Sequence, residues 1–199
     1  MTVSVRQQLK QATQLRVLEA ASRLFRKRGF AATTVRDIAE AAGVSAGTVM
    51  AVGDKNALLV QVFDTMVADE HAQRAGATPQ STGEAPDTCV KRLGVLVQPF
   101  VAMFTGSPEL ARSYASILVS GTYSSSLFTE LDARLVEEFA TAITKQGCTP
   151  AADAPAKAQA LYAAYVGTLF TWSARGLVDP SAITNGLRTS FAAISICKE

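Results

Sequence analysis

The side chains best suited to chemistry in this chain are cations, and they are concentrated at its N-terminal end. Residues 1–55 carry nine Lys or Arg against four Asp or Glu, whereas residues 56–199 carry ten against thirteen. Cationic side chains bind phosphate oxygens through charge and hydrogen bonds. A basic end on an acidic body therefore predicts that the first 55 residues, the N-terminal head, contact nucleic acid.

Residues for catalysis or metal binding are sparse. The chain has one histidine, His71, which we predict to lie on the surface at a helix end, and three widely separated cysteines, Cys89, Cys148 and Cys197. Catalytic carboxylate pairs, nucleophile motifs and phosphate loops are not recognisable. We therefore predict that the protein is not an enzyme and binds no metal and no cofactor. The cysteines are typical of reduced thiols in a cytoplasmic protein, with a redox switch as the alternative.

Residues 33–55, TTVRDIAEAAGVSAGTVMAVGDK, have the pattern of two short helices joined by a glycine turn. Thr34 is suited to cap the first helix, and Asp37 completes a capping box. Gly43 stands where the chain must reverse, since glycine enters left-handed conformations without steric cost. Ser45 is the predicted N-cap of the second helix. This pattern predicts a helix-turn-helix that reads the major groove of DNA, with a purely structural helical hairpin as the alternative.

Hydrophobic periodicity predicts an all-α fold of about nine helices. The expected helices cover residues 5–28, the two of the motif, 54–75, 88–105, 108–120, 126–146, 156–176 and 180–197. Loops rich in Gly, Pro, Ser and Thr separate the fourth helix from the fifth and the seventh from the eighth. We predict a three-helix DNA-binding domain at residues 1–55 and a helical ligand-binding and dimerisation domain at 56–199. The longest apolar runs are too short to span a membrane.

Four segments resemble the TetR family of bacterial transcriptional repressors. They are A-x-x-L-F-x-x-R-G-F at residues 21–30, T-T-V-x-x-I-A at 33–39, A-G-V-S-x-G-T at 42–48 and D-K-x-x-L-L at 54–59. The resemblance implies a symmetric dimer whose two heads fit the half-sites of a palindromic operator. It also implies a larger helical domain that holds a small-molecule pocket and the dimer interface.

The second helix of the motif departs from the family pattern. Residues 49–53 replace an aromatic stretch that is one residue longer, and Met50 stands where the family commonly has Tyr. Base recognition through thymine methyl groups and DNA shape becomes more plausible as side-chain donors are lost. The predicted DNA-binding residues are Thr34, Arg36, Ser45, Ala46, Gly47, Thr48, Met50 and Lys55.

In the body of the chain, large apolar and aromatic side chains lie on helices that surround the ligand in TetR-like proteins, although such stripes also form ordinary core. The predicted ligand-binding residues are Phe63, Met66, Phe100, Met103, Phe104, Tyr114, Leu118, Tyr162, Tyr165 and Phe170. They suggest an apolar or aromatic effector. The last two helices combine small and bulky positions in a pattern typical of a four-helix dimer interface. The predicted interface residues are Ala160, Ala164, Gly167, Trp172, Leu187, Phe191 and Ile194.

These features predict a ligand-responsive repressor that binds a palindromic operator as a homodimer and is released by a small effector. The alternative is a helical ligand-binding protein whose DNA-reading head is degenerate, because the second helix of the motif is short and lacks the family's aromatic pair. The first predicts a specific footprint on DNA, and the second predicts weak binding without sequence preference.

Overall fold

A computed structural model describes residues 5–76, 88–126, 131–145, 147, 149–176 and 179–195 of the chain. Within these ranges all regular secondary structure is helical, apart from turns, and the predicted all-α fold is confirmed. The helices are α1 (Val5–Arg28), α2 (Val35–Ala42), α3 (Ala46–Val52), α4 (Lys55–Gly76), α5 (Cys89–Thr105), α6 (Pro108–Val119), α7 (Leu131–Lys145), α8 (Ala154–Ala174) and α9 (Pro180–Ser195). No helix of the described ranges is both long and apolar enough to cross a membrane.

The helix boundaries follow local chemistry. Gly29 ends α1 with a φ of 81°, a left-handed conformation that residues with a Cβ rarely adopt. Thr88 caps α5 by accepting a hydrogen bond from the backbone N–H of Lys91. The start of α8 lies two residues earlier than predicted because Pro155 fits its first turn, where the missing N–H has no helical partner. Helix α7 is described from Leu131, and part of its predicted start lies outside the described residues.

Parts of the predicted connections fall outside the described residues. The predicted loop after α4 lies at residues 77–87, and the predicted start of α7 includes residues 127–130. The last predicted residues of α9, 196 and 197, are also outside. Of the three cysteines, Cys89 is described and buried, whereas Cys148 and Cys197 lie outside the described ranges.

The chain divides into two compact units, and the division falls within α4. The first unit contains residues up to Met66 together with Glu109–Ser125, and the second contains Val67–Pro108 together with residues from Ser126 onward. Helix α6 and the first half of α4 therefore pack with the head, which the predicted boundary at residue 55 does not anticipate. Local sequence carries no signal for this grouping, since it depends on which helices meet.

In the first unit, α1 packs against α2 and α3, and α2 packs against α3. Their shared core is built from Phe25 of α1, Ile38 of α2 and Val49 of α3, each at most 1% exposed. The ring of Phe30 lies 5.3 Å from that of Phe25 and extends this core toward the start of α4. Burial of these side chains supplies the free energy that holds two very short helices in place.

In the second unit, α7 packs against α5 and α8, and α9 packs against α5 and α8. Phe139 of α7 and Phe191 of α9 are fully buried and meet edge to face, with ring centroids 5.9 Å apart. Helix α5 contains Pro99, which has no N–H to donate to the preceding turn. The carbonyl of Leu96, in that turn, accepts a hydrogen bond from Arg74 of α4 at 3.0 Å.

Candidate functional site

The helix-turn-helix forms with the predicted caps. Thr34 Oγ1 accepts a hydrogen bond from the N–H of Asp37 at 3.2 Å, and the Asp37 carboxylate accepts one from the N–H of Thr34 at 2.8 Å. Hydrogen bonds from Thr34 and the nearby charge of Arg28 lower the pKa of Asp37. Gly43 takes the left-handed conformation at a φ of 63°, and Ser45 caps α3 through the N–H of Thr48. The turn predicted from sequence is thereby confirmed.

Helix α3 has one buried and one exposed face. Val49 is completely buried against the core of the head, whereas Ala46, Gly47 and Ala51 are exposed. Met50 is 53% exposed although its side chain is large and apolar. The exposed face consists of small residues and one thioether, so its side chains present no strong hydrogen-bond donor. Ala51, which the predicted DNA-binding set leaves out, is also exposed.

Hydroxyl groups lie at the N-terminal end of this face. The Oγ of Ser45 and the Oγ1 of Thr48 are 2.8 Å apart and share a hydrogen bond. Ser45 is exposed and Thr48 is half-buried, so each oxygen keeps an open side toward solvent. A hydroxyl that both donates and accepts can bind a phosphate oxygen while it keeps its partner in the cap.

The predicted phosphate-binding cations, Arg36 and Lys55, differ in the contacts that they make within the protein. Arg36 is exposed and has no ion-pair or hydrogen-bond partner among the described residues. The ammonium of Lys55 donates to the carbonyl of Phe30 at 3.1 Å and lies 4.3 Å from the centre of the Phe30 ring. Two of its three N–H groups remain for another acceptor. Arg36 is therefore exposed to an approaching phosphate, and Lys55 is held in place by Phe30.

The start of α4 is fixed by a small polar cluster in the first unit. The Asp54 carboxylate accepts a hydrogen bond from the N–H of Ala57 at 2.8 Å, which caps the helix, and one from the hydroxyl of Tyr123 at 2.7 Å. The bond from Ala57 is the main cause that lowers the pKa of Asp54, and the bond to Asp54 raises the pKa of Tyr123. Sequence analysis did not identify Tyr123, because it follows α6 and is 69 residues from its partner.

The ten predicted ligand-binding residues are divided between the two units. Phe63, Met66, Tyr114 and Leu118 belong to the first unit, and the other six belong to the second. Phe63 stacks on Tyr114 with ring centroids 4.4 Å apart, and the Tyr114 hydroxyl is 3.0 Å from that of Ser125. Those of the second unit are Phe100, Met103, Phe104, Tyr162, Tyr165 and Phe170. Most of the ten are buried in the packing of their own unit, and burial raises the pKa of both Tyr162 and Tyr165.

A cavity of about 580 Å³ in the second unit has a different lining. His71 of α4, Arg92 and Leu96 of α5, and one face of α7 form its walls. We call it the charged cavity; its α7 residues are Arg134, Glu137, Glu138, Thr141, Ala142 and Lys145. None of the ten predicted ligand residues lines this cavity. The spacing of Arg134, Glu138, Thr141 and Lys145 along one helix face is the sequence signal that could have located it.

The prediction of a surface position for His71 was wrong. The residue is 5% exposed, and its ring packs 4.7 Å from that of Phe100. Its Nδ1 is 3.8 Å from one oxygen of Glu138, and Arg74 binds the other oxygen at 2.8 Å. Burial would raise the pKa of Glu138, but the neighbouring His71 and the Arg74 charge outweigh it and lower the pKa.

The predicted dimer residues separate into two groups. The bulky side chains of Trp172, Leu187 and Phe191 are at most 4% exposed within their own chain, so they are not available to fill gaps in a partner subunit. The indole N–H of Trp172 donates to the carbonyl of Asp179. An apolar stripe on a helix fits a core face and an interface face equally well. In this chain the bulky side chains of α8 and α9 pack the two helices together. The remaining positions are exposed or half-exposed: Ala160, Ala164, Gly167 and Ile194.

Comparison with known proteins matches the head. Residues 17–52 fit the family described as bacterial regulatory proteins, tetR family. Two regulators of Pseudomonas putida are each 38% identical over 90 residues: the HTH-type transcriptional regulator TtgR and the probable HTH-type transcriptional regulator ArpR. Each match covers 45% of this chain and 42% of the relative, so it spans less than half of either protein.

Two solved structures share the fold over nearly the whole chain. One is Thermus thermophilus FadR, a TetR family transcriptional repressor in complex with lauroyl-CoA, with a TM-score of 0.62, 20% identity, and coverage of 94% of this chain and 96% of that one. The other is a TetR transcriptional regulator from Rhodococcus sp. RHA1, with a TM-score of 0.61, 16% identity, and coverage of 94% and 97%. The solved structures show the shared fold alone, whereas the capped helix-turn-helix and the match over residues 17–52 place the N-terminal head of this chain in the tetR family of bacterial regulatory proteins.

Proposed function

We propose that this chain is a transcriptional repressor that binds a palindromic operator as a homodimer and leaves it when a small effector binds the second unit. The observation that carries the proposal is the exposed face of α3, held outward by a capped and buried scaffold in the basic head. Regulation, rather than catalysis, also fits the regulators that the head resembles.

The head offers the two kinds of contact that a DNA reader needs. The hydroxyls of Ser45 and Thr48 and the free guanidinium of Arg36 supply phosphate contacts, which set affinity and register. Ala46, Met50 and Ala51 supply an apolar face suited to thymine methyl groups. Recognition then depends on methyl contacts and DNA shape more than on hydrogen bonds to base edges.

Helix α4 is the proposed route from effector to DNA. It is one uninterrupted helix from Lys55 to Gly76. Its first turn is bound to the head through Asp54 and Lys55, and its second half carries His71 and Arg74 beside the charged cavity. An effector that binds more tightly when α4 is displaced lowers operator affinity, and a preference of about 1–3 kcal/mol gives useful coupling.

A homodimer is proposed because a palindrome presents two equal half-sites. The surface of α8 and α9 is suited to it, since small residues allow close helix approach. A groove of about 360 Å³ runs between these helices and is lined by Gly167 and Gly186 among others. A Cβ added to Gly186 would lie 3.3 Å from Thr168, which shows how closely the two helices already approach within one chain.

The effector is proposed to have a substantial apolar part. One solved relative of the same fold holds lauroyl-CoA. The second unit of this chain is rich in buried apolar side chains.

A degenerate head is the competing function, and one observation favours it. The exposed face of α3 lacks strong side-chain donors, so the side chains that usually discriminate bases are absent from it. Under this alternative the second unit still binds a ligand, but the head binds DNA weakly and without sequence preference.

Selection of random duplex DNA by the purified protein at physiological salt, followed by sequencing, tests the proposal. We expect an enriched palindrome whose half-sites are centred about one helical turn, roughly 34 Å, apart. Sedimentation of the complex should give two chains per duplex. A folded protein that enriches no sequence, with or without candidate effectors, would establish the degenerate head instead.

A further inference from the structure

The charged cavity holds more unpaired positive charge than negative. Arg92, Arg134 and Lys145 all face it, and none of them forms an ion pair with a described residue. Arg92 belongs to α5, whereas Arg134 and Lys145 lie about three helical turns apart on α7, so two helices bring cations to the cavity. Cations gathered in this way around a concave surface raise the local potential for anions.

The carboxylates of the cavity do not cancel this charge. Glu138 is already bound by Arg74 at 2.8 Å and lies 3.8 Å from His71, so its charge is compensated without the three cations. Glu137 is exposed and has no ion-pair partner among the described residues. Water screens an exposed carboxylate strongly, which leaves it a weak competitor for the arginines.

Arg92 offers a buried hydrogen-bond donor to a ligand. Its Nε is shielded from solvent and has no hydrogen-bond partner among the described residues. A buried donor without an acceptor costs about 1–3 kcal/mol, and more when the group is charged. An oxygen atom of a ligand would satisfy this N–H, and the planar guanidinium is suited to bind the two oxygens of one acidic group.

Part of the cavity wall is apolar. Leu96 and Ala142 contribute aliphatic surface, and the buried ring of His71 adds an aromatic edge. A volume of about 580 Å³ is within the range of sites that enclose small organic ligands. The site therefore combines an anchor for an acidic group with room for an apolar body.

We propose that the charged cavity is the effector site and that its ligand is an amphipathic organic anion, whose carboxylate or phosphate is bound by Arg92, with Arg134 and Lys145 contributing charge. The role of this ligand as effector rests on the proposed function, whereas its binding in the cavity does not. The proposal refines the expectation of an apolar or aromatic effector by adding an acidic group at one end.

Two fluorescent probes of nearly equal shape test the inference on the full chain. One is 8-anilinonaphthalene-1-sulfonate, and the other is N-phenyl-1-naphthylamine, which lacks the sulfonate. We expect the sulfonate to bind at least about 10-fold more tightly, since hydrogen bonds to a charged group make the difference. Decanoate, decyl phosphate and decanol then compete for the bound sulfonate. Displacement by either acid but not by decanol supports the proposal. The acid that binds more tightly shows whether the site prefers a carboxylate or a phosphate.

Substitution of cavity residues tests whether the sulfonate binds in the charged cavity. Arg92→Gln and Arg134→Gln should each weaken binding of the sulfonate by about 10-fold and leave the neutral probe within about 2-fold. The matched control is Arg188→Gln, an exposed arginine on α9 outside the cavity, which should change neither. Arg92→Gln should unfold at the same or a higher temperature without ligand, because it removes an unsatisfied buried donor.

Equal affinity for the two probes, or undiminished sulfonate binding by Arg92→Gln and Arg134→Gln, would overturn the inference. Should Arg92→Gln fail to fold, Arg134→Gln and Lys145→Gln decide, since both side chains are exposed and make no ion pair with a described residue. None of these binding measurements involves DNA, so they are independent of operator recognition. A protein that binds the anion in this cavity but selects no operator would refute the proposed function and leave the site intact.

Discussion

Replacement of Met50 by alanine is the sharpest test of how the head reads DNA. Met50 is 53% exposed on α3, beside the buried Val49, and it is the largest side chain on the exposed face. If that face enters the major groove, the thioether contacts base edges there. The substitution then removes apolar contact from the complex while the buried scaffold of the head stays as it is.

The size of the effect follows from the exposed fraction. Complete burial of a methionine side chain contributes about 1.5–3 kcal/mol. Because about half of this side chain is still exposed in the free protein, DNA binding can gain about 0.8–1.5 kcal/mol from it per head. The loss corresponds to about 4- to 12-fold in affinity for each half-site. Folding should change little, since a surface substitution typically shifts the free energy of unfolding by no more than about 0.5 kcal/mol.

Fluorescence anisotropy on the selected operator measures the affinity, and repeated selection from random DNA measures the preference. We expect Met50→Ala to relax the preference at one or two base pairs of each half-site and to leave the others unchanged. Val95→Ala is the control, because Val95 is 58% exposed on α5 and outside the head. An unchanged affinity together with an unchanged selected sequence would refute the assignment of Met50 to base contact.

Three further substitutions test separate parts of the structure. Thr48→Ala should weaken binding to selected and scrambled duplexes alike, by about 3- to 10-fold, because a phosphate contact carries no sequence information; a changed sequence preference in the same assay would contradict this. Glu138→Gln should lower the free energy of unfolding at pH 7 by about 1 kcal/mol after allowance for solvent screening. Since the folded pKa of Glu138 lies below its ordinary value of 4.5, this advantage of the wild type is present above pH 4.5 and disappears as pH falls through the folded pKa; urea unfolding at several pH values that gave a constant difference would refute the ion-pair assignment. Phe139→Ala should cost about 3–5 kcal/mol, because the ring is fully buried against Phe191; a loss below about 1 kcal/mol in the same unfolding experiment would show that the second unit is loosely packed.

Features that depend on neighbouring residues could be predicted well. The capping box of Thr34 and Asp37, the turn at Gly43 and the cap at Ser45 involve groups within a few residues of one another, so composition and spacing define them. The helix ranges were also predicted closely, because apolar side chains at intervals of three and four residues favour the helix itself. The first residues of α8 are the main difference within the described chain.

Features that depend on which faces meet could not be predicted in the same way. The stripe of Trp172, Leu187 and Phe191 is apolar, and its period is equally suited to a dimer interface and to the core that it forms. A single polar residue near a helix end predicts a surface position for His71, yet Phe100 and Glu138 enclose it from two other helices. Periodicity identifies an apolar face but not its partner.

The sequence by itself determined the helical class, the helix-turn-helix and the basic character of the head, because each is set by local backbone preference or by simple charge count. Only the tertiary structure decided that Tyr123 binds Asp54 and that cations from α5 and α7 line one cavity. Both arrangements join residues tens of positions apart. They are fixed by the competition among apolar faces for burial, which no short segment of the chain encodes alone.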